Sequence, residues 1–187
     1  MTEHDEFASH VTPFAGRWHV IREHDLARLL AAHARLRAVC NRLEACADAL
    51  PGRLSDAETR TVCRDLRAVV ISHPRDETAM IDALLARDCG DCGECGDCGD
   101  PLTAAVVRRV RARHVCNAIQ ADDILAALSG ISAPCAEALG YMLRSFFEGA
   151  RLAMDFTQLA VLTLGVERLT SGARDMLVRG LCERRAV

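Results

Sequence analysis

The sequence predicts an all-α protein: an up-down-up-down four-helix bundle with a short additional C-terminal helix. Three observations carry that expectation. Aromatic residues make up only 4% of the 187-residue chain while Ala and Leu abound, which favours helices over a sheet. Apolar residues recur at alternating three- and four-residue spacing through four long stretches, the spacing of a helix with one buried face. Breaks at Pro51-Gly52, residues 87–101 and Ser129-Gly130 separate those stretches.

Residues 1–16 read as an N-terminal tail, and 17–187 as the bundle, with a Cys-rich loop at 87–101. The first helix is expected from Trp18 to Leu50, with the stripe Leu26, Leu29, His33, Leu36, Cys40, Leu43, Ala47, Leu50. The second starts at Ser55, where Glu58 three residues on completes a capping box. Its stripe is Val62, Leu66, Val69, His73, Glu77, Met80, Leu84, and Pro74 inside the run predicts a kink beside His73. The third helix, capped by Thr103, carries Val107, Val110, His114, Ala118, Ala121, Leu125, Leu128. The fourth begins near Pro134, a favoured first-turn residue, with Met142, Phe146, Gly149, Ala153, Thr157, Ala160, Leu164 inward. A short fifth helix is expected over about 171–184.

His33, His73, Glu77 and His114 occupy stripe positions where apolar residues belong. Imidazole and carboxylate are costly to bury alone, and a metal ion or a hydrogen-bond network offsets that cost. His73 and Glu77, four apart, project from one helix face, and the combination suits iron, zinc or manganese. A lone buried His is more often a hydrogen-bonded core residue than a ligand; the joint placement of all four is what points to a site. His24 lies roughly opposite the first stripe and reads as a surface residue.

The segments AHARLRAVCNRLEACADALPG, HPRDETAMIDALL, RARHVCNAIQADDILAAL and LRSFFEGARLAMDFTQLAVLTLGVERLT resemble the hemerythrin-like, HHE cation-binding family over about Leu26 to Leu169. That family is a four-helix bundle that usually holds two irons through His, His-x-x-x-Glu, His and His-x-x-x-Glu on successive helices. The resemblance implies metal ligands at His33, His73, Glu77 and His114, and puts Ala153 and Thr157 where the last His and Glu would stand. It therefore implies an incomplete or mononuclear centre: one iron, with zinc as the other candidate, or an empty pocket. The function implied is a non-enzymatic sensor or carrier for which oxygen or nitric oxide would be the small ligand, a di-iron oxidase being disfavoured. The alternative is a metal-free regulatory bundle with a redox-active or metal-binding loop.

Residues 88–100 read DCGDCGECGDCGD, with Cys89, Cys92, Cys95 and Cys98 at every third position. Paired C-x-x-C units suggest zinc or an iron–sulfur cluster, but the two pairs are closer than usual for either. An acid before each Cys disfavours reactive thiolates, and the repeat also reads as a product of slippage with no chemical role. Ten Cys without an apolar leader point to reduced thiols in the cytoplasm. The net charge of −3 excludes a general nucleic-acid binder, and Arg108, Arg109, Arg111 and Arg113 read as a solvated helix face. No uncharged run reaches a membrane span, and no phosphate-binding loop, nucleophile elbow or dinucleotide fingerprint occurs. A homodimer is compatible with these features.

Overall fold

A computed structural model describes residues 20–52, 55–85 and 101–182, with the side chains of 83–85 excepted. Among the described residues the chain is all helical: α1 Glu23–Asp48, α2 Asp56–Leu85, α3 Pro101–Leu128, α4 Ala136–Leu164 and α5 Ser171–Cys182. α1 packs on α2 and α4, α3 packs on the same two, and α5 lies across α4 and α1. None of these helices is long and apolar enough to cross a membrane.

Local chemistry sets most helix ends. Asp25 reaches back to accept the Arg22 backbone N–H at 2.8 Å, opening α1 at Glu23 rather than Trp18, a residue outside the described set. Leu50 lies in the turn beyond α1. The Ser55–Glu58 capping box forms as expected: Glu58 accepts the Ser55 backbone N–H at 2.9 Å, and Ser55 Oγ accepts the Glu58 N–H at 3.3 Å. α2 runs unbroken through Pro74, and His73 stays helical although the following proline disfavours it. α3 starts at Pro101, where a missing N–H costs nothing; Thr103 lies inside the helix and is not its cap. α3 ends in a Schellman turn. Gly130 takes φ 75°, its N–H donates to Ala127 O, and the Ile131 N–H donates to Ala126 O. Pro134 precedes the Cys135 N-cap of α4 and so is not a first-turn residue.

Among the described residues two apolar clusters fill the interior. One gathers Leu36, Cys40 and Leu43 of α1, Val62, Leu66 and Val69 of α2, Ala121 and Ile124 of α3, and Leu143, Phe146 and Met154 of α4. The other gathers Leu26 and Leu29, Met80 and Ile81, Val106 and Val110, and Ala160 and Val161. Ile21, Leu169, Ala173 and Leu177 close the second cluster, so α5 seals that end. A short bridge between Ile21 and Leu169 holds this closure, with the Ile21 N–H donating to Arg168 O at 2.6 Å and the Thr170 N–H to Ile21 O at 3.0 Å.

The stripes of α1 and α2 are buried as expected, Leu50 apart and Leu84 lying outside the described side chains. Those of α3 and α4 are rotated slightly. On α3 the deepest residues include Val106, Asn117 and Ile124, while Val107, Ala118 and Leu125 are half-buried. On α4 they include Leu143, Met154, Gln158 and Val161, while Met142, Ala153 and Leu164 are half-buried.

Candidate metal centre

The polar side chains of the interior form one layer between the two apolar clusters. On α1, His33 stands between Leu29 of one cluster and Leu36 of the other. On α2, His73 and Glu77 stand between Val69 and Met80, and on α3 His114 and Asn117 stand between Val110 and Ala121. On α4, Thr157 and Gln158 stand between Met154 and Ala160. Ion pairs on the outer surface tie the helices near this depth. Arg35 and Arg28 of α1 both reach Asp76, the residue beside Glu77, at 2.9 and 3.4 Å, and Arg111 of α3 reaches Asp82 of α2 at 3.1 Å.

Glu77 is the focus. It is 2% exposed, and three imidazoles from three helices point their Nε2 atoms at its carboxylate. His33 lies 2.9 Å from Oε1, His114 2.5 Å from Oε2, and His73 3.3 Å from Oε2. The ring centroids of His33 and His73 are 5.5 Å apart, those of His73 and His114 5.6 Å. Burial alone would raise the Glu77 pKa, but the hydrogen bonds from His114, His33 and His73 outweigh it and hold the carboxyl far below the usual range. An ionised carboxylate only accepts, so each facing imidazole nitrogen donates to it.

Gln158 completes the network from α4. Its amide lies 2.8 Å from His33 Nδ1, and both side chains are 1% exposed. With the amide nitrogen donating to Nδ1, His33 carries its proton on Nε2 and passes it toward Glu77. Turning the amide over would let its oxygen accept from an Nδ1–H and leave the Nε2 lone pair available to a cation. His73 Nδ1 and Asn117 Oδ1 are buried without a hydrogen-bond partner among the described residues.

One donor atom of each of His33, His73 and Glu77 lies within 4.8 Å of the other two, so the three could hold a metal ion; His114 joins through Glu77. Two or three imidazoles with one carboxylate suit zinc or iron. Donors about 2.0–2.1 Å from a tetrahedral ion stand roughly 3.3 Å apart. The His73–Glu77 separation already has that value, whereas the His33 and His114 contacts are of hydrogen-bond length. The donor set therefore fits one ion once the His33 contact opens by about 0.4 Å and the His114 contact by about 0.8 Å. From α4 only Thr157 and Gln158 are buried polar residues, neither of them an imidazole or a carboxylate, so that helix offers a second ion no ligand of either kind.

Other sequence expectations fall elsewhere. His24 is exposed beside Asp25, and Cys40 is a fully buried core residue whose thiol is pushed up to about 11 by burial. Cys89, Cys92, Cys95 and Cys98 lie outside the described residues. Of the four arginines of α3, Arg108, Arg109 and Arg111 are exposed as expected, and Arg113 is half-buried. Arg111 pairs with Asp82, Arg109 stacks 4.9 Å over Phe156, and the Arg113 guanidinium lies so close to Gly149 that an added Cβ would meet Nη2 at 2.5 Å. Asn117 and Gln158 are the site residues the stripes missed. Asn117 falls three residues after His114, on the same face, and Gln158 is the lone amide in the run Phe156–Leu164.

No protein-family model, curated protein or solved structure matches this chain.

Proposed function

We propose that this chain is a hemerythrin-like metal-binding protein that holds one non-haem iron or zinc ion and acts as a sensor or carrier rather than an enzyme. The observation that carries the reading is the buried Glu77 carboxylate, met by imidazoles from α1, α2 and α3 in a layer walled by apolar clusters. His33, His73 and Glu77 are the ligands, with His114 as the fourth. Bound there, an iron would supply a redox-active centre for a small ligand such as oxygen or nitric oxide, and zinc a Lewis acid. The protein's own part is to exclude bulk water, orient three rings on one carboxylate and hold the charge. An up-down-up-down order of α1 to α4 belongs to this reading. The cluster sealed by α5 draws on the first half of α1, the end of α2, the first half of α3 and the end of α4, which supports the alternation.

The test is metal stoichiometry. Chelator-stripped protein is reloaded anaerobically with Fe(II), or with Zn(II), and desalted. Wild type is expected to retain one ion per chain, and Glu77→Gln and His33→Ala far less. Wild type that retains none rejects the proposal.

One observation favours a second reading, a metal-free regulatory bundle. The contacts of His33 and His114 to Glu77 are hydrogen bonds as they stand, and the Gln158 amide is set to keep a proton on His33 Nε2. This reading predicts that all four residues can be replaced together without loss of function.

A further inference from the structure

On the flank of the polar layer lies a small cavity lined by His73, His114 and Asn117 among apolar side chains that include Leu36, Val69 and Phe146. Its volume is about 10 Å³, the room one water molecule requires. The wall is mostly apolar, yet two of its residues carry the buried polar atoms without a partner named above, His73 Nδ1 and Asn117 Oδ1. His73 is 6% and Asn117 7% exposed, so bulk solvent does not serve them. A buried polar group left unmet destabilises a fold, and two beside one cavity would make a poor core.

We infer that this cavity is a binding site for a single water molecule, or a hydroxylic molecule of the same size, bridging His73 Nδ1 and Asn117 Oδ1. The chemistry selects that class. When His73 donates its Nε2 proton to Glu77, Nδ1 and the amide oxygen are both acceptors, and no direct bond can join them. A water donates one hydrogen to each. When a cation takes the Nε2 lone pair, the proton moves to Nδ1, and the same water accepts from Nδ1 and donates to Asn117. One molecule therefore satisfies both states of the ring, which neither a carbonyl nor an ammonium group could do. Asn117 is thus a positioning residue for His73, acting through the bound molecule. The metal-linked half of this statement rests on the proposed function; the water site itself does not.

Water relaxation dispersion with oxygen-17 and deuterium, on metal-free protein, is the direct test. Wild type is expected to show one more long-lived buried water than Asn117→Leu, which fills the cavity with carbon. A crystal structure of wild type should place a density peak within hydrogen-bond distance of both atoms. That measurement needs no variant, so a failure of Asn117→Leu to fold leaves the question decidable. An empty cavity, or a direct bond from Asn117 to His73, overturns the site. Asn117→Asp, whose carboxylate accepts more strongly from the water that meets Nδ1–H, is expected to tighten zinc binding, and Asn117→Leu to weaken it about 10–100-fold. Wild type that binds no metal while the water is found rejects the metal reading alone. Wild type that binds metal with the cavity dry rejects this inference alone.

Discussion

Replacing Glu77 by Gln keeps the shape of the polar layer and removes its charge. The carboxylate now accepts from His33 at 2.9 Å through Oε1, and from His114 at 2.5 Å and His73 at 3.3 Å through Oε2. A glutamine retains one acceptor oxygen and turns the other position into a donor. If the surviving oxygen stays with His33, the amide nitrogen faces two imidazole N–H groups, and both rings must change tautomer or lose a bond. Hydrogen bonds to a charged group contribute about 1.5–3 kcal/mol each, and removing one partner of a buried ionic network costs about 3–5 kcal/mol. Tautomer change recovers part of this, so a loss of about 3 kcal/mol is expected. For a chain of this size that is a fall in Tm of roughly 6–12 °C. The assay is thermal and urea unfolding of chelator-treated protein, followed by circular dichroism at neutral pH. A variant that melts within a degree or two of wild type, or above it, would refute the claim that Glu77 is an ionised hub. The companion experiment replaces the network whole, with Leu at His33, His73, His114 and Gln158 and Met at Glu77. Removing all partners together is expected to leave stability unchanged or raise it by about 1–4 kcal/mol, because the desolvation cost disappears with the charge. Lower stability on Glu77→Gln with no loss on joint replacement is the signature of a layer kept for binding rather than for folding.

Further outcomes follow from other contacts. Gln158→Leu removes the 2.8 Å hydrogen bond to His33 Nδ1 and is expected to cost about 1–3 kcal/mol in urea unfolding, with Gln158→Glu less disruptive once zinc is added. Hydrogen bonds from the Ser55 hydroxyl and backbone N–H lower the Glu58 pKa, so the cap is at full strength above the ordinary Glu value and is lost as the pH falls through the depressed one. Wild type should therefore lose more Tm than Glu58→Gln between neutral and acid pH, and Ser55→Ala should cost about 0.5–2 kcal/mol at neutral pH. Gly165→Ala would put a Cβ 2.7 Å from the Val161 carbonyl oxygen and 3.3 Å from Ile21 Cδ1, so a loss of about 1–3 kcal/mol is expected, measured as a lower urea midpoint.

The sequence by itself determined the helices and most of the site. Periodicity placed the α1 and α2 stripes correctly, because each has one wide apolar face and His33, His73 and Glu77 fall on it in register. Capping chemistry fixed the start of α2, and Gly130 the end of α3, since both are local effects. Tertiary structure decided the rest. α4 is apolar on several sides, so its spacing allowed a stripe through Ala153 when packing turned Met154 and Gln158 inward. The thread from Gln158 to His33 spans 125 residues of chain, and no local rule could supply it. The same holds for convergence. A sequence can say that each imidazole faces inward, but only the relative height of packed helices brings three of them onto one carboxylate, where a shared charge meets the cost of burying them.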